Sequence, residues 1–227
     1  MRLTDPNFPI IFDRTQEELE ENLLFCVVVA GKKASTQIRL LHSFLNSGTP
    51  GLSPFDKIRA MNSDGSLSKK LMESRLGQYT RLVCCFRALI SSDINLSNCT
   101  VEDLESIHGI GPKTARFFMT CNRADVRHAV IDTHNLRFLR EVIGENTPST
   151  TPQSHKEYNR LETRYLQIAD VLGVNPSDFD LAIWKSYSHG NPSFFEDFIK
   201  KAGVDRMFIK NTANGAIKLR FVQNGLS

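Results

Sequence analysis

The chain has few cysteines, and none of them is spaced as metal ligands usually are. Cys84 and Cys85 are adjacent, the other three lie far apart, and the five include no CxxC pair. This pattern argues against a structural zinc site and against an iron–sulfur cluster. The odd count also argues against a disulfide framework, so we expect reduced thiols and no metal or other cofactor.

Long hydrophobic runs are missing as well. The longest apolar run, Leu23 to Ala30, is far shorter than the roughly 20 residues that a helix needs to span a bilayer. Residues 1–13 contain two prolines and two aspartates, and they lack the basic and apolar regions that are typical of a signal peptide. We therefore expect no membrane partner and an intracellular location, in the cytoplasm or nucleoid of a prokaryote or in the nucleus of a eukaryote.

The chain as a whole also lacks a strong excess of charge, since its formal net charge is only +3 over 227 residues. The segment from Gly109 to Arg140 is an exception, because six basic residues stand there against two aspartates. Such a local concentration indicates an anionic partner at one place, although a solvated charged face is the alternative. The six basic residues are Lys113, Arg116, Arg123, Arg127, Arg137 and Arg140.

The hydrophobic pattern is mostly helical. Thr15, Thr100 and Ser193 each begin a capping-box pattern, with an acidic residue three positions later. Near the C-terminus, apolar and basic residues alternate as in a strand, with Ile217, Leu219 and Phe221 as the apolar members. Asn214-Gly215 before them indicates a hairpin with residues 207–210. These patterns predict a mostly α protein and allow a small C-terminal β-hairpin.

The segment from Leu104 to Phe118 has the pattern helix, tight turn, helix. Gly109 and Gly111 allow the backbone to turn sharply and to approach another surface closely. Pro112 suits the first turn of a helix, where its missing N–H would be unpaired anyway. The free N–H groups at the start of the second helix can bind an anion, and a DNA phosphate is the natural candidate. The segment resembles the helix-hairpin-helix DNA-binding motif.

Lys113 follows this turn, and two roles are open for it. On the hairpin alone, a contact to phosphate or to solvent is favoured over catalysis. Asp132 lies 19 residues further along, directly after the apolar residues Ala129 to Ile131, and this spacing shifts the balance towards catalysis. The aspartate can also cap a helix that begins at Thr133, and the two roles of Asp132 are compatible.

Together these two segments resemble the helix-hairpin-helix DNA glycosylase superfamily, which includes endonuclease III and the 8-oxoguanine DNA glycosylases. In that family a lysine follows the hairpin, and an aspartate opens a helix at the spacing that Lys113 and Asp132 have here. No four-cysteine cluster follows Asp132, so the resemblance is closest to the cluster-free 8-oxoguanine branch and its short archaeal-type members. The resemblance covers about residues 15–200. Residues 121–131 depart from it, because they lack the glycine and proline usual in that loop.

The resemblance implies a bifunctional DNA glycosylase and apurinic-site (AP) lyase that excises 8-oxoguanine in base excision repair. Lys113 would attack the deoxyribose C1′ and release the base, and the resulting Schiff base would permit β-elimination. Asp132 would stabilise the oxocarbenium-like charge on the sugar and could help to deprotonate Lys113. Gly109, Gly111 and His134 are expected to bind the DNA backbone, with a purely structural role in its helix as the alternative for His134.

A glycosylase must flip the damaged nucleotide out of the duplex, and a wedge must fill the gap. Lys32 and Lys33 lie in a turn at the place where the family puts wedge residues against the orphaned base. Paired lysines in a turn are also common as solvated residues, and this alternative stays open.

The flipped base needs a pocket, for which three residues are candidates. Asp180 and Trp184 are four positions apart, so they share one face of a predicted helix. A tryptophan can stack on a purine, and a carboxylate can accept hydrogen bonds from the ring N–H groups of the base. The segment resembles the late helix that lines the base pocket in 8-oxoguanine glycosylases. A core tryptophan with a surface aspartate is the alternative. Phe117, one turn after Lys113, either borders the pocket or only packs.

We expect a single glycosylase unit of two helical lobes, with DNA in the cleft between them and the hairpin at its edge. One lobe would span about residues 35–130, the other residues 1–34 with 131–204, and residues 205–227 would form an extension. The expected partner of the monomeric protein is duplex DNA with a damaged base. Two rivals are a related enzyme for oxidised pyrimidines, disfavoured by the missing cluster cysteines, and a non-catalytic DNA-binding module, disfavoured by the spacing from Lys113 to Asp132.

Overall fold

A computed structural model describes residues 4–201, 207–211 and 217–221. Within these ranges the secondary structure is mostly α-helical, as the sequence predicts. The first seven helices are α1 (Gln16–Val28), α2 (Ala34–Asn46), α3 (Pro54–Ser63), α4 (Leu67–Glu73), α5 (Tyr79–Ser91), α6 (Val101–Glu105) and α7 (Pro112–Asn122). Then follow α8 (Thr133–Phe138), a π-helical turn (Leu139–Ile143), α9 (His155–Leu172), α10 (Pro176–His189) and α11 (Ser193–Lys201). No helix in the described part of the chain is long and apolar enough to cross a membrane.

Two strands follow the last helix. β1 (Met207–Asn211) and β2 (Ile217–Phe221) pair in antiparallel fashion, with Ile209 opposite Leu219. The predicted C-terminal strand pair is therefore confirmed. Asn214 and Gly215, the predicted turn, lie outside the described residues.

The described residues divide into two compact units at the boundary between Val126 and Arg127. In the first unit, α1 is a central helix, since every residue from Leu23 to Val28 is buried. It packs against α2, α3 and α7. This position differs from the expected division, in which residues 1–34 join residues 131–204. The physical reason is that the second half of α1, from Leu23 to Val28, is apolar around its whole circumference and needs neighbours on several sides.

Three consecutive polar residues of α1 are buried as well, and each has a partner. Glu20 Oε2 accepts a hydrogen bond from the Phe55 N–H at 3.0 Å, in the first turn of α3. Glu21 Oε1 accepts from the Thr4 N–H, and Asn22 Oδ1 accepts from Asn122 Nδ2 at the end of α7. Burying a polar group is tolerable only when it is bonded, so these contacts fix which segments surround α1.

The second unit has an aromatic core around Phe179 of α10. Its ring centroid lies 5.4 Å from that of Phe138, 5.0 Å from that of Tyr165 and 5.9 Å from that of Phe195. These rings come from α8, α9, α10 and α11, and all four are fully buried. The core thus joins the helix that follows Asp132 to the rest of the unit.

The predicted helix starts are confirmed at two of three positions. Thr15 and Thr100 are the N-caps of α1 and α6, and each forms a reciprocal capping box with the acidic residue three positions later. The prediction for Ser193 was wrong, because α11 begins at Ser193 itself. Asn191 Oδ1 accepts the Ser193 N–H at 3.1 Å, so the side chain that bonds the helix start comes from two residues earlier.

Candidate functional site

The helix-hairpin-helix segment is formed by α6, a turn over residues 106–111, and α7. Ile110, in the turn, is buried and its N–H donates to the Ile107 carbonyl at 3.0 Å. Arg116 of α7 donates to Glu105 of α6 at 2.6 Å, and both side chains are largely buried. The buried Ile110 side chain and the ion pair between Arg116 and Glu105 hold α6 and α7 in one arrangement.

Gly109 is required where it stands. Its φ is +89°, in the region that favours glycine, and a Cβ there would lie 2.8 Å from Cys85 Cβ on α5. Arg81 of α5 reinforces this contact, because its guanidinium donates to the Gly109 carbonyl at 3.3 Å and to the Val27 carbonyl at 2.8 Å. The sequence gives no local signal for Arg81, which lies 28 residues before the hairpin.

Gly111 stands in a different environment. It is the N-cap of α7 with φ −101°, a value open to any residue, and a Cβ there would meet no atom within 4 Å. No side chain caps the first turn of α7, and Pro112 occupies its first position. The protein itself therefore leaves room at Gly111, and the backbone N–H groups behind it are available to an anion.

Lys113 is half-buried in the first turn of α7. Its Nζ lies 5.1 Å from the centroid of the Phe117 ring, whose other neighbour is Phe25 at 6.2 Å. Phe117 thus packs against Lys113 and the core of the first unit. No carboxylate in the described part of the chain pairs with the Lys113 ammonium. Burial raises the pKa of the Cys26 thiol to about 12, against the opposing positive charges of Lys113 and Arg14.

Asp132 is the N-cap of α8. Its Oδ1 accepts hydrogen bonds from the His134 N–H at 2.8 Å and from the Asn135 N–H at 2.9 Å. The capping role that the sequence allows is therefore confirmed. Because both capping hydrogen bonds go to the same carboxylate oxygen, they also fix the orientation of the Asp132 side chain.

His134 belongs to a cluster that the sequence did not reveal. Its ring stacks on Tyr187 of α10, with centroids 6.3 Å apart, and the Arg137 guanidinium lies 4.9 Å from the Tyr187 centroid. Burial raises the pKa of Tyr187 to about 12, and the Glu141 carboxylate adds to this while Arg137 and Arg140 oppose it. Tyr187 thus supports both a histidine and an arginine on α8.

Asp180 and Trp184 lie one turn apart on α10, and both are half-buried. Asp180 Oδ1 accepts a hydrogen bond from Asn135 Nδ2, which ties this residue to the first turn of α8. Trp184 is outside the aromatic core, and its ring lies edge-on to His189 with centroids 5.8 Å apart. In the second unit, the start of α8 therefore brings together Asp132, His134 and Asp180.

The two candidate wedge lysines differ. The Lys32 ammonium donates to the Leu76 carbonyl, and burial together with the neighbouring Arg81 lowers the pKa of Lys32. Lys33 is exposed and is the N-cap of α2, without a side-chain capping bond. Lys32 is thus engaged with the loop before α5, whereas Lys33 projects from the surface.

The basic segment that the sequence singled out is largely engaged within the protein. Besides the pair of Arg116 with Glu105, Arg123 donates to the Leu96 carbonyl. Arg127 pairs with Asp170, and Arg137 pairs with Glu141. A count of charges along the sequence therefore overstates the charge that this segment offers to a partner.

Comparisons with known proteins agree with this geometry. A family model described as the helix-hairpin-helix motif matches residues 94–117. The chain is 24% identical over 177 residues to a protein of Thermoplasma acidophilum named 8-oxoguanine DNA glycosylase/AP lyase, covering 78% of this chain and 83% of the relative. It is 26% identical over 173 residues to a protein of the same name from Korarchaeum cryptofilum, covering 76% and 81%. No solved structure matches the chain significantly.

These findings show a helix-hairpin-helix motif in the chain and a similarity over most of its length to two proteins named 8-oxoguanine DNA glycosylase/AP lyase. They confirm the resemblance inferred from the sequence to the 8-oxoguanine branch and its archaeal-type members. The motif and the two relatives also indicate DNA as the partner of the hairpin.

Substitution of the two hairpin glycines should separate folding from DNA binding. Gly109→Ala should lower the free energy of unfolding by about 1–3 kcal/mol, because it combines a positive φ with the clash at Cys85. Gly111→Ala should cost under about 1 kcal/mol of stability, because its new methyl group meets no protein atom within 4 Å. If a DNA phosphate binds at the start of α7, the same methyl group should weaken duplex binding by about tenfold.

Chemical denaturation and titration of a fluorescent duplex at fixed salt would measure the two effects. Unchanged duplex affinity in Gly111→Ala would remove the start of α7 from the DNA interface. A fully stable Gly109→Ala would show that the hairpin does not depend on its close approach to α5.

Proposed function

We propose that this protein is a bifunctional DNA glycosylase and AP lyase that removes 8-oxoguanine from duplex DNA in base excision repair. The observation that carries the proposal is the combination of Lys113, on a helix-hairpin-helix segment, with Asp132 at the start of α8. The similarity over most of the chain to two proteins named 8-oxoguanine DNA glycosylase/AP lyase supports the choice of base.

The hairpin holds the duplex through its phosphates. The uncapped first turn of α7 offers N–H groups and the positive end of a helix dipole, and Gly111 lets the strand come close. Such contacts position DNA without reading its sequence, which suits an enzyme that must search for damage anywhere. His134, held against Tyr187, supplies a further contact to the backbone.

Lys113 is the nucleophile. Its neutral amine attacks C1′ of the flipped nucleotide, the N-glycosidic bond breaks, and its electron pair leaves with the base, which takes up a proton. Loss of a proton from nitrogen and opening of the sugar ring at O4′ then give a C=N Schiff base. Removal of a C2′ proton expels the 3′ phosphate by β-elimination. The absence of an ion pair at Lys113 among the described residues favours this use of the amine.

Asp132 stabilises the positive charge that develops on the sugar as the base departs. A carboxylate meets the same need in glycoside hydrolysis. Its Oδ1 is already held by two N–H groups, so little reorganisation is needed when the charge appears.

The flipped base is bound by Trp184 and Asp180, with Phe117 at the border next to Lys113. Trp184 is half-buried outside the core, so its ring is available for stacking on a purine. The Asp180 carboxylate accepts hydrogen bonds from ring N–H groups of the base. Lys33, with Lys32 behind it on the Leu76 carbonyl, fills the gap that the base leaves.

Borohydride trapping tests the nucleophile. The wild-type protein, incubated with a duplex that contains one 8-oxoguanine, should form a covalent adduct when borohydride reduces the C=N bond. Lys113→Gln should form no adduct but should bind the duplex with an affinity within a few-fold of wild type, because the hairpin backbone is unchanged. Denaturing gel electrophoresis of the labelled duplex detects the covalent adduct, and native gel electrophoresis measures the binding affinity.

A parallel set of duplexes with other single lesions identifies the base. Trapping on an oxidised pyrimidine but not on 8-oxoguanine would transfer the assignment to the related pyrimidine enzymes. If the protein binds the duplexes but forms no adduct with any lesion, the assignment would change to a non-catalytic DNA-binding module. An adduct formed by Lys113→Gln would place the nucleophile at another lysine.

Asp132→Asn should separate the capping role from the catalytic role. Asparagine caps helices as well as aspartate does, so the free energy of unfolding should change by less than about 1 kcal/mol. The loss of negative charge should slow base release by about 100-fold or more under single-turnover conditions. Thermal unfolding and quenched time courses would measure the two quantities, and an undiminished rate would exclude Asp132 from the chemistry.

A further inference from the structure

The chain enters α8 through a short buried segment that is neither helix nor strand. Ala129, Val130 and Ile131 are each at most 3% exposed. Buried backbone N–H and C=O groups must find partners, and a segment outside helices and sheets has to find them elsewhere. Here four side chains supply them, from α8, from α9 and from the loop before α9.

Tyr158 of α9 is the central one of these four. The side chain is fully buried, and its hydroxyl accepts the Ile131 N–H at 2.9 Å while it donates to the Ala129 carbonyl at 3.0 Å. One hydroxyl thus bonds the backbone on both sides of Val130, in the way a neighbouring strand would.

The other three side chains complete the support. Glu162, one turn after Tyr158, accepts the Ala129 N–H at 3.0 Å and lies 3.3 Å from His128 Nδ1. The Thr151 hydroxyl donates to the Ile131 carbonyl at 3.0 Å, and Asn135 Nδ2 donates to the Val130 carbonyl at 2.7 Å. Together with Tyr158, they bond five backbone groups of the segment.

Asp132 is the next residue, so its position follows from that of the segment. The Asp132 N–H donates back to the Val130 carbonyl at 2.8 Å, which joins the carboxylate-bearing residue to the segment by a tight turn. A catalytic group displaced by about 1 Å can lose about a hundredfold in rate. The position of the Asp132 carboxylate therefore depends on the contacts that hold residues 129–131 in place.

We propose that Tyr158 is a positioning residue for the Asp132 carboxylate, acting through its two hydrogen bonds to the Ala129–Ile131 backbone. The inference rests on the proposed function, because it assigns Tyr158 to the base-release step. Tyr158 touches neither the sugar nor the base. Its effect is to keep the charge of Asp132 at the place where positive charge develops.

Tyr158→Phe removes the hydroxyl and keeps the ring, so the core stays filled while two backbone groups lose their partner. Tyr165→Phe is a matched control on the same helix, two turns later. Tyr165 is also fully buried and donates to a single carbonyl, that of Pro176, at 3.2 Å. Both variants lose one buried hydroxyl, but only the first loses hydrogen bonds to the backbone of residues 129–131. Tyr165 feels the Asp180 and Asp132 charges only through space, where they add to the effect of burial in raising the pKa of its hydroxyl.

Single-turnover base release at saturating enzyme, duplex Kd and thermal unfolding are measured for each variant. Tyr158→Phe should release the base roughly ten- to a hundredfold more slowly than wild type with an unchanged Kd, because the displaced group acts only in the transition state. Tyr165→Phe should retain the wild-type rate. If Tyr158→Phe folds poorly, Thr151→Val provides a milder test, because Thr151 is less buried than Tyr158. This variant removes the hydrogen bond to the Ile131 carbonyl and should also slow base release.

The Asp132→Asn background separates positioning from a general structural role. There Tyr158→Phe should cause no further slowing, because the charge that it positions is already gone. A merely structural role would slow the two backgrounds by the same factor. Equal rates for Tyr158→Phe and Tyr165→Phe, or equal slowing in both backgrounds, would overturn the inference.

Amide hydrogen exchange provides a readout that does not depend on activity. The Ile131 amide should be protected in wild type and in Tyr165→Phe but should exchange faster in Tyr158→Phe. If the wild-type protein releases no base from any duplex, the proposed function fails, and the exchange rates still decide whether Tyr158 holds the segment. Unchanged Ile131 protection in Tyr158→Phe would refute the structural basis of the proposal.

Discussion

The hydrogen bonds that Asp132 Oδ1 accepts from the first turn of α8 constrain much of the second unit. They start α8 at a defined residue, and α8 then carries Phe138 into the aromatic core. They also hold the carboxylate at a helix N-terminus, where the backbone dipoles favour negative charge. A single side chain thus serves folding and presents a charge, and the buried segment before it determines where both are placed.

Local patterns were sufficient to predict the hairpin, because the features that start and turn its two helices are close in sequence. The glycines, Pro112 and the capping box at Thr100 act within a few residues of their own positions. The sequence explained only part of the requirement for glycine at position 109. A left-handed turn could be expected there, but the approach of Cys85 and the bonds from Arg81 join residues far apart in the chain.

The same limit applies to the surroundings of Asp132. The apolar residues 129–131 predicted a buried approach, yet Tyr158 and Glu162 lie about thirty positions later and look like ordinary residues of an amphipathic helix. The count of basic residues between Gly109 and Arg140 instead predicted more free positive charge than the structure has, since arginines such as Arg116 and Arg127 are engaged in ion pairs. The place of α1 escaped prediction because the stretch from Leu23 to Val28 is apolar on all sides, and such a stretch does not indicate which neighbours it will have.

Two of the four buried thiols in the first unit have a consequence for chemical durability. Burial raises the pKa of Cys85, beneath the hairpin, to about 11, and that of Cys26, near Lys113, to about 12. Peroxides react with the thiolate rather than the thiol, so both sulfurs are nearly inert at neutral pH. Oxygen added to Cys85 would push directly against Gly109. Burial of Cys85 therefore disfavours oxidation at the position where the hairpin packs against α5.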